Sequence, residues 1–198
     1  MFDYMIPAKT TFYEQEIKKS RFLTWITHTE TPEIAKQFID DIHKQYPDAR
    51  HICWAWVAGA PNSQYISMSD DGEPSGTAGK PMLNVLQYQQ IGEVTAVIVR
   101  YFGGIKLGTG GLSRAYGSSV TEAIKLTPLK ERVQMERFVL QCPYSDENTV
   151  RHLLQVADGI IENIDYQEMA NFQCRIPSRA FQDFQQKLPF TVQVKTDA

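Results

Sequence analysis

VTAVIVRYFGGIKLGTGGLSRAY, residues 94–116, joins three kinds of sequence in one stretch. It opens as a β-branched apolar run that reads as a strand over 93–101. It closes on a helix that reads over 111–126. Between them stand Gly103, Gly104, Gly108, Gly110 and Gly111, with Arg100, Lys106 and Arg114 alongside. No Asp or Glu occurs between Glu93 and Glu122, so the segment is net positive in a mildly acidic chain. Glycine allows positive φ and lets backbone N–H groups approach a ligand closely. A turn feeding a helix start offers unpaired N–H groups and the positive end of the helix dipole to an anion. The stretch therefore predicts a mixed α and β fold with an anion-binding surface on its loop.

Working outward, residues 16–28 read as a strand and 33–45 as a helix, with Thr31-Pro32 as start signal and Ile34, Phe38 and Ile42 inward. Residues 52–58 and 64–69 read as a hairpin turning at Gly59-Ala60-Pro61-Asn62. The loop DDGEPSGTAG follows, then a helix over 80–90 carrying Met82, Val85 and Leu86 inward. Thr127-Pro128 breaks the pattern, and it resets. Strands over 132–141, 160–168, 170–176 and 191–195, with helices over 145–157 and 178–187, give the order βαββαβ. That is the ferredoxin-like split βαβ unit. The expected class is α+β with two domains, 1–130 and 131–198.

Composition sets bounds. With 198 residues, 42% hydrophobic and 22% charged, the chain is globular and long enough for one domain or two small ones. No run of about 18 apolar residues occurs, so no transmembrane helix is expected. The N-terminus MFDYMIPAKT lacks an apolar signal region, which points to a cytoplasmic protein. Cys53, Cys142 and Cys174 are odd in number without metal-like spacing, and read as reduced, buried thiols. Residues 1–130 hold 13 basic and 13 acidic side chains, whereas 131–198 hold 7 and 10. A phosphate surface therefore belongs to the first part, as a local patch rather than a whole-protein field.

The glycine loop fits no standard nucleotide motif. Gly103 to Gly108 has Walker spacing, but Thr109 stands where lysine is required. Ser113 occupies the third glycine position of a dinucleotide fingerprint, and Ala115 replaces the last glycine of GxSxG. A packing role for the glycines is the bland alternative; five within nine residues beside three cations favour binding. In the second loop, Asp70, Asp71, Glu73, Ser75 and Thr77 offer three carboxylates, without the spacing of a calcium loop. A solvated loop in which Ser75 or Thr77 caps the next helix is the preferred reading, with pairing to the glycine loop as an alternative. His51, after Arg50 at a strand entrance, is a ligand candidate, though a capping histidine is commoner. Of Trp54, Trp56, Tyr101, Phe102 and Tyr116, the two tryptophans read as core. Tyr101 and Tyr116, flanking the loop, read as stacking groups.

Three segments carry a resemblance: Lys19-Ser20-Arg21-Phe22, SDDGEPSGTAGKPML over 69–83, and RYFGGIKLGTGGLSRAYG over 100–117. They resemble the IMPACT family and its bacterial branch, and the βαββαβ tail extends the likeness over nearly the whole chain. The resemblance implies an N-terminal domain like the second domain of small-subunit ribosomal protein five. It implies a C-terminal domain like the last ferredoxin-like domain of elongation factor G. Eukaryotic members regulate translation during amino-acid starvation by competing for the ribosome-associated activator of a general-control kinase. Bacteria lack that kinase pathway, so the resemblance names no partner here.

The resulting expectation is a non-enzymatic, translation-associated protein that binds RNA or a ribosomal component, without cofactor, metal or membrane. Arg100, Lys106 and Arg114 would neutralise phosphates, Gly103, Gly104, Gly108, Gly110 and Gly111 would position the backbone, and Tyr101 and Tyr116 would stack. Two alternatives stay open. One is a small-molecule phosphotransferase holding magnesium on Asp70, Asp71 or Glu73. The other is a regulator that binds a translation-regulating protein without nucleic-acid contact.

Overall fold

A computed structural model of the chain describes residues 3–196. Its contacts divide it into two units, one of Tyr4–Arg132 and one from Val133 onward that includes Asp3. In chain order the first unit runs β1 (Tyr4–Pro7), β2 (Thr11–Ile17), β3 (Ser20–His28), α1 (Pro32–Gln45), β4 (His51–Val57), β5 (Ile66–Ser69), α2 (Gly79–Tyr88), β6 (Val94–Tyr101), α3 (Thr109–Leu126) and β7 (Leu129–Arg132).

Five strands form an antiparallel sheet in the order β2-β3-β6-β4-β5. β6 is central, and every residue but Tyr101 is buried. Alternation splits it between two cores. Val94, Ala96 and Ile98 pack in the core that includes α2 and α3, while Val97 and Val99 pack in the core that includes α1. Each such valine or isoleucine contributes about 1.5–3 kcal/mol by leaving water. This is why the run in β6 is apolar throughout rather than alternating.

Helix α1 starts where expected, with Thr31 Oγ1 accepting from Ile34 N and Pro32 in the first turn. Its inward face differs: Ala35, Ile39 and Ile42 are buried, and Ile34 is 49% exposed. α2 buries Met82 and Leu86 and packs Val85 against the core, as anticipated. α3 buries Leu112, Ala115, Tyr116, Ser119, Val120, Ala123 and Ile124, a stripe at helical spacing.

Two corrections concern strands. Residues 16–28 are not one strand but parts of a hairpin that turns at Lys18-Lys19, with φ of 48° and 64°. The unexpected β1 and β7 pair antiparallel, Tyr4 opposite Arg132. Glu93 clasps both: its carboxylate accepts from Tyr4 Oη at 2.7 Å and Arg132 Nε at 3.2 Å, and lies 2.6 Å from His28 Nε2.

The second unit holds β8 (Met135–Cys142), α4 (Glu147–Val156), β9 (Ile160–Tyr166), β10 (Ala170–Pro177), α5 (Ser178–Lys187) and β11 (Gln193–Thr196). Its antiparallel sheet has the order β11-β8-β10-β9, the ferredoxin-like arrangement. Phe138, Leu140, Phe172 and Phe184 fill its core. The three cysteines are unpaired and buried. Among the described residues, no helix is long and apolar enough to cross a membrane.

Candidate functional site

The glycine loop and the acidic loop meet, and the meeting divides the expected site residues into two sets. Strand alternation sends Arg100, two residues beyond Ile98, toward the α2–α3 core. Its guanidinium is 6% exposed and donates from Nη1 to Glu73 Oε1 at 2.6 Å and from Nη2 to Ser20 Oγ at 3.3 Å. It lies 5.6 Å from the Phe22 ring centroid. Tyr116 is fully buried, and its hydroxyl donates to the same Glu73 oxygen at 2.8 Å. Burial pushes the Tyr116 hydroxyl and the nearby Cys53 thiol well above their ordinary pKa ranges. Cys53 therefore stays protonated and inert.

This corrects the sequence expectation. Arg100 is spent on Glu73, and Tyr116 has no face for a base. The helical stripe already held the signal, since Tyr116 stands four residues after Leu112 on the same face.

The second loop is built of caps. Asp70 Oδ1 accepts from Ala78 N and Gly79 N, both at 2.9 Å, and Oδ2 accepts from Gly76 N at 2.7 Å. Burial pushes its pKa up, but these three N–H donors outweigh it and hold the carboxyl below its ordinary value. Asp70 thus caps α2, the role expected of Ser75 or Thr77. Ser75 is exposed, and Thr77 Oγ1 donates to the Pro74 carbonyl instead. Asp71 Oδ2 accepts from Ile52 N at 2.6 Å, and the Asp71 carbonyl accepts from His51 Nδ1 at 2.9 Å. The carboxylates of Asp70, Asp71 and Glu73 thus turn to different protein donors. Among the described residues, no group of three or more His, Cys, Asp or Glu gathers to hold a metal ion.

The glycines also differ among themselves. A Cβ on Gly103 would stand 1.9 Å from the Lys19 carbonyl carbon, so Gly103 serves close packing on the β2–β3 turn. Gly104 and Gly108 have φ of 86° and 72° with open space around them. Gly110 and Gly111 lie inside the first turn of α3, two residues earlier than the expected helix start.

Beside this framework is a cleft of about 450 Å³, lined by Arg50, His51, Phe102, Lys106, Gly108 and Thr109, among others, with the paired Glu73 and Arg100 in its wall. A neighbouring cavity of about 340 Å³ adds Asp48 and Tyr101. α3 opens onto the cleft with no side-chain cap and no acid in its first turn. Its first intrahelical bond runs from Leu112 N to Gly108 O, so the N–H groups of Thr109, Gly110 and Gly111 precede the helical ladder. Arg50 and Lys106 are exposed and have no hydrogen-bond or ion-pair partner among the described residues. Phe102 is 55% exposed, with the Arg100 guanidinium 5.7 Å from its ring centroid on one side, and is the more exposed aromatic ring of the cleft. Tyr101 is half-buried, covered by Arg21 at 5.9 Å, and donates to Asp48. Arg114 lies elsewhere, its Nη1 3.7 Å from a Cβ position on Gly110. Sequence reasoning did not assign Arg50 to the site because the β4–β6 pairing, which sets the neighbouring His51 opposite Arg100, joins segments some fifty residues apart.

The fold and loops define a two-domain protein of a recognisable kind. The Impact N-terminal domain matches residues 18–124, and a domain of unknown function, DUF1949, matches 140–189. The chain belongs to the IMPACT family. It is 46% identical over 189 residues to IMPACT family member YigZ of Escherichia coli, covering 95% of this chain and 93% of that one. It is 37% identical over 185 residues to IMPACT family member YvyE of Bacillus subtilis, covering 93% and 85%. A crystal structure of a hypothetical protein matches with TM-score 0.73 and 43% identity, covering 100% of this chain and 98% of that one.

Proposed function

We propose that this protein is a cytoplasmic, translation-associated regulator that binds single-stranded RNA in the cleft at the start of α3. One observation carries the reading. α3 begins without a side-chain cap or an acid in its first turn, and Arg50 and Lys106, unpaired among the described residues, line the cleft at its start. Helix starts ordinarily gather acids, because the dipole there is positive. Here Lys106 and Arg50 add to that charge, and a bound phosphate would relieve it. Phe102, exposed and with Arg100 on one side of its ring, offers a base the ring surface that buried Tyr116 cannot. The translation link rests on family membership, since eukaryotic members regulate translation. The phosphotransferase alternative is weakened because Asp70, Asp71 and Glu73 are engaged with protein donors.

Fluorescence anisotropy with a labelled uridylate strand of about ten nucleotides, titrated across salt concentrations, tests this. Lys106→Ala is expected to weaken binding and to flatten the log–log salt slope by about 0.7. Phe102→Ala is expected to cost roughly 1–3 kcal/mol with the slope unchanged. If Lys106→Ala stays folded and binds as the parent does, the protein-binding alternative takes precedence.

A further inference from the structure

Across Leu107 from this cleft lies a second basic cavity, of about 270 Å³, lined by Ile17, Lys18, Gly111, Arg114 and Ser118. Leu107 is a wall of both cavities. A Cβ on Gly111 would stand 3.2 Å from Leu107 Cβ, so the glycine lets this ridge sit close on the helix. Lys18, in the turn between β2 and β3, and Arg114 are both exposed. Neither has a hydrogen-bond or ion-pair partner among the described residues, and no acid lines the cavity. Four unpaired cations thus stand in two pairs, Arg50 with Lys106 and Lys18 with Arg114, on either side of one apolar ridge. Uncompensated like charges at one place cost stability, and a single compact anion would meet only one pair.

We infer that the second cavity is a further phosphate subsite, so that the RNA strand crosses the start of α3 over Leu107 and sets phosphates on both sides. The inference rests on the RNA reading above and adds to it the strand's path and its two extra contacts. A free nucleotide, with its phosphates at one end, fits one cavity. A strand, with a phosphate at every step, fits both. Four contacts give an expected salt slope of about −2.8, against about −1.4 for the first cleft alone.

The test uses the full chain and the same uridylate strand of about ten nucleotides. The variants are Lys106→Ala and the double variant Lys18→Gln/Arg114→Gln, whose amide side chains keep much of the aliphatic stem. Circular dichroism and the thermal midpoint confirm that each is folded. The double variant is expected to bind roughly tenfold more weakly and with a slope flatter by about 1.4. If it matches the parent in affinity and slope while Lys106→Ala is impaired, the second subsite is wrong and the RNA reading stands. If the parent binds no RNA, or Lys106→Ala is unimpaired, the RNA reading fails and this inference with it.

Discussion

Arg100 and Lys106 stand six residues apart in one basic segment, and the fold gives them opposite work. Arg100 still belongs to β6, opposite Phe22 on one side and His51 on the other. Its charge enters the core and is met there by Glu73, whose side chain is 3% exposed. Lys106 comes after the strand has ended, on the loop, and meets no partner among the described residues. A buried ion pair gains little over a well-packed apolar pair, but removing one member strands a charge in the core. Arg100→Ala and Glu73→Ala are therefore each expected to lose about 3–5 kcal/mol of stability by urea unfolding, with the double variant losing less than the sum. Tyr116→Phe, which removes one donor from Glu73, is expected to lose about 1–3 kcal/mol. Losses confined to a few tenths would mean that the Glu73 network is not what joins the two loops. Period-2 strand geometry places Arg100 on the face of Ile98, so its side of β6 was legible in advance. The identity of its partner, 27 residues earlier, was not, because the acidic loop offers three carboxylates and only the folded loop selects one.

At the level of elements, local signals read true and distant ones did not. α5, β8 and β10 carry their own periodicity, whereas α1 was placed correctly but turned, with Ile34 outward and Ala35 and Ile39 inward. The β2–β3 hairpin escaped because its turn uses Lys18-Lys19 at positive φ, where Gly or Asn is the usual marker. β1 and β7 escaped because each is four residues long and finds its partner across the whole first unit. The glycine loop shows the same limit: which glycine is conformational and which is packed depends on the neighbouring turn. Gly103→Ala is expected to be strongly destabilising, roughly 3 kcal/mol or more, because its Cβ would meet Lys19 backbone. Gly104→Ala, strained only by its positive φ, is expected to cost about 1 kcal/mol. Urea midpoints of the two variants check the order.

Asp70 gives the start of α2 a pH signature. Its carboxyl is held below the ordinary value of 3.8, so the folded state favours the ionised form. That stability is fully present above pH 3.8 and is lost as pH falls through the lower folded value. Asp70→Ala is expected to cost about 1–2 kcal/mol near neutrality by uncapping α2. It is also expected to show a shallower stability decline in acid than the parent. The part of the decline due to Glu93, also held below its ordinary value against burial by His28, Tyr4 and Arg132, remains. Parallel acid limbs in the two proteins would show that Asp70 is not a titrating cap.

At the scale of the whole molecule, the sequence break at Thr127-Pro128 suggests that the first domain ends near residue 130, whereas the contacts carry it to Arg132. Those two residues matter. Glu131 and Arg132 complete β7 opposite Met5 and Tyr4. Arg132 also donates to Glu93 and Glu30. Glu93 thus ties the first and last strands of the unit to β3 through Tyr4, Arg132 and His28. We propose that Tyr4–Arg132 folds alone, and that a fragment ending at Lys130 melts lower by about 5 °C, through the loss of half a strand pair and the Arg132 bonds. The longer fragment is expected to keep the RNA affinity and salt slope of the full chain, since every cation of the two cavities lies within it. The complementary fragment, from Val133, has its own apolar core and a closed set of strand partners. It gives up Asp3, which accepts from Gln134 N at 2.8 Å and pairs with Arg179. It is nevertheless expected to unfold in one cooperative thermal step and to leave the uridylate strand unbound, given its acidic balance. Equal melting of the two N-terminal fragments would remove the clasp at Glu93 from the account. RNA binding that needs residues beyond Arg132 would move the site away from the start of α3.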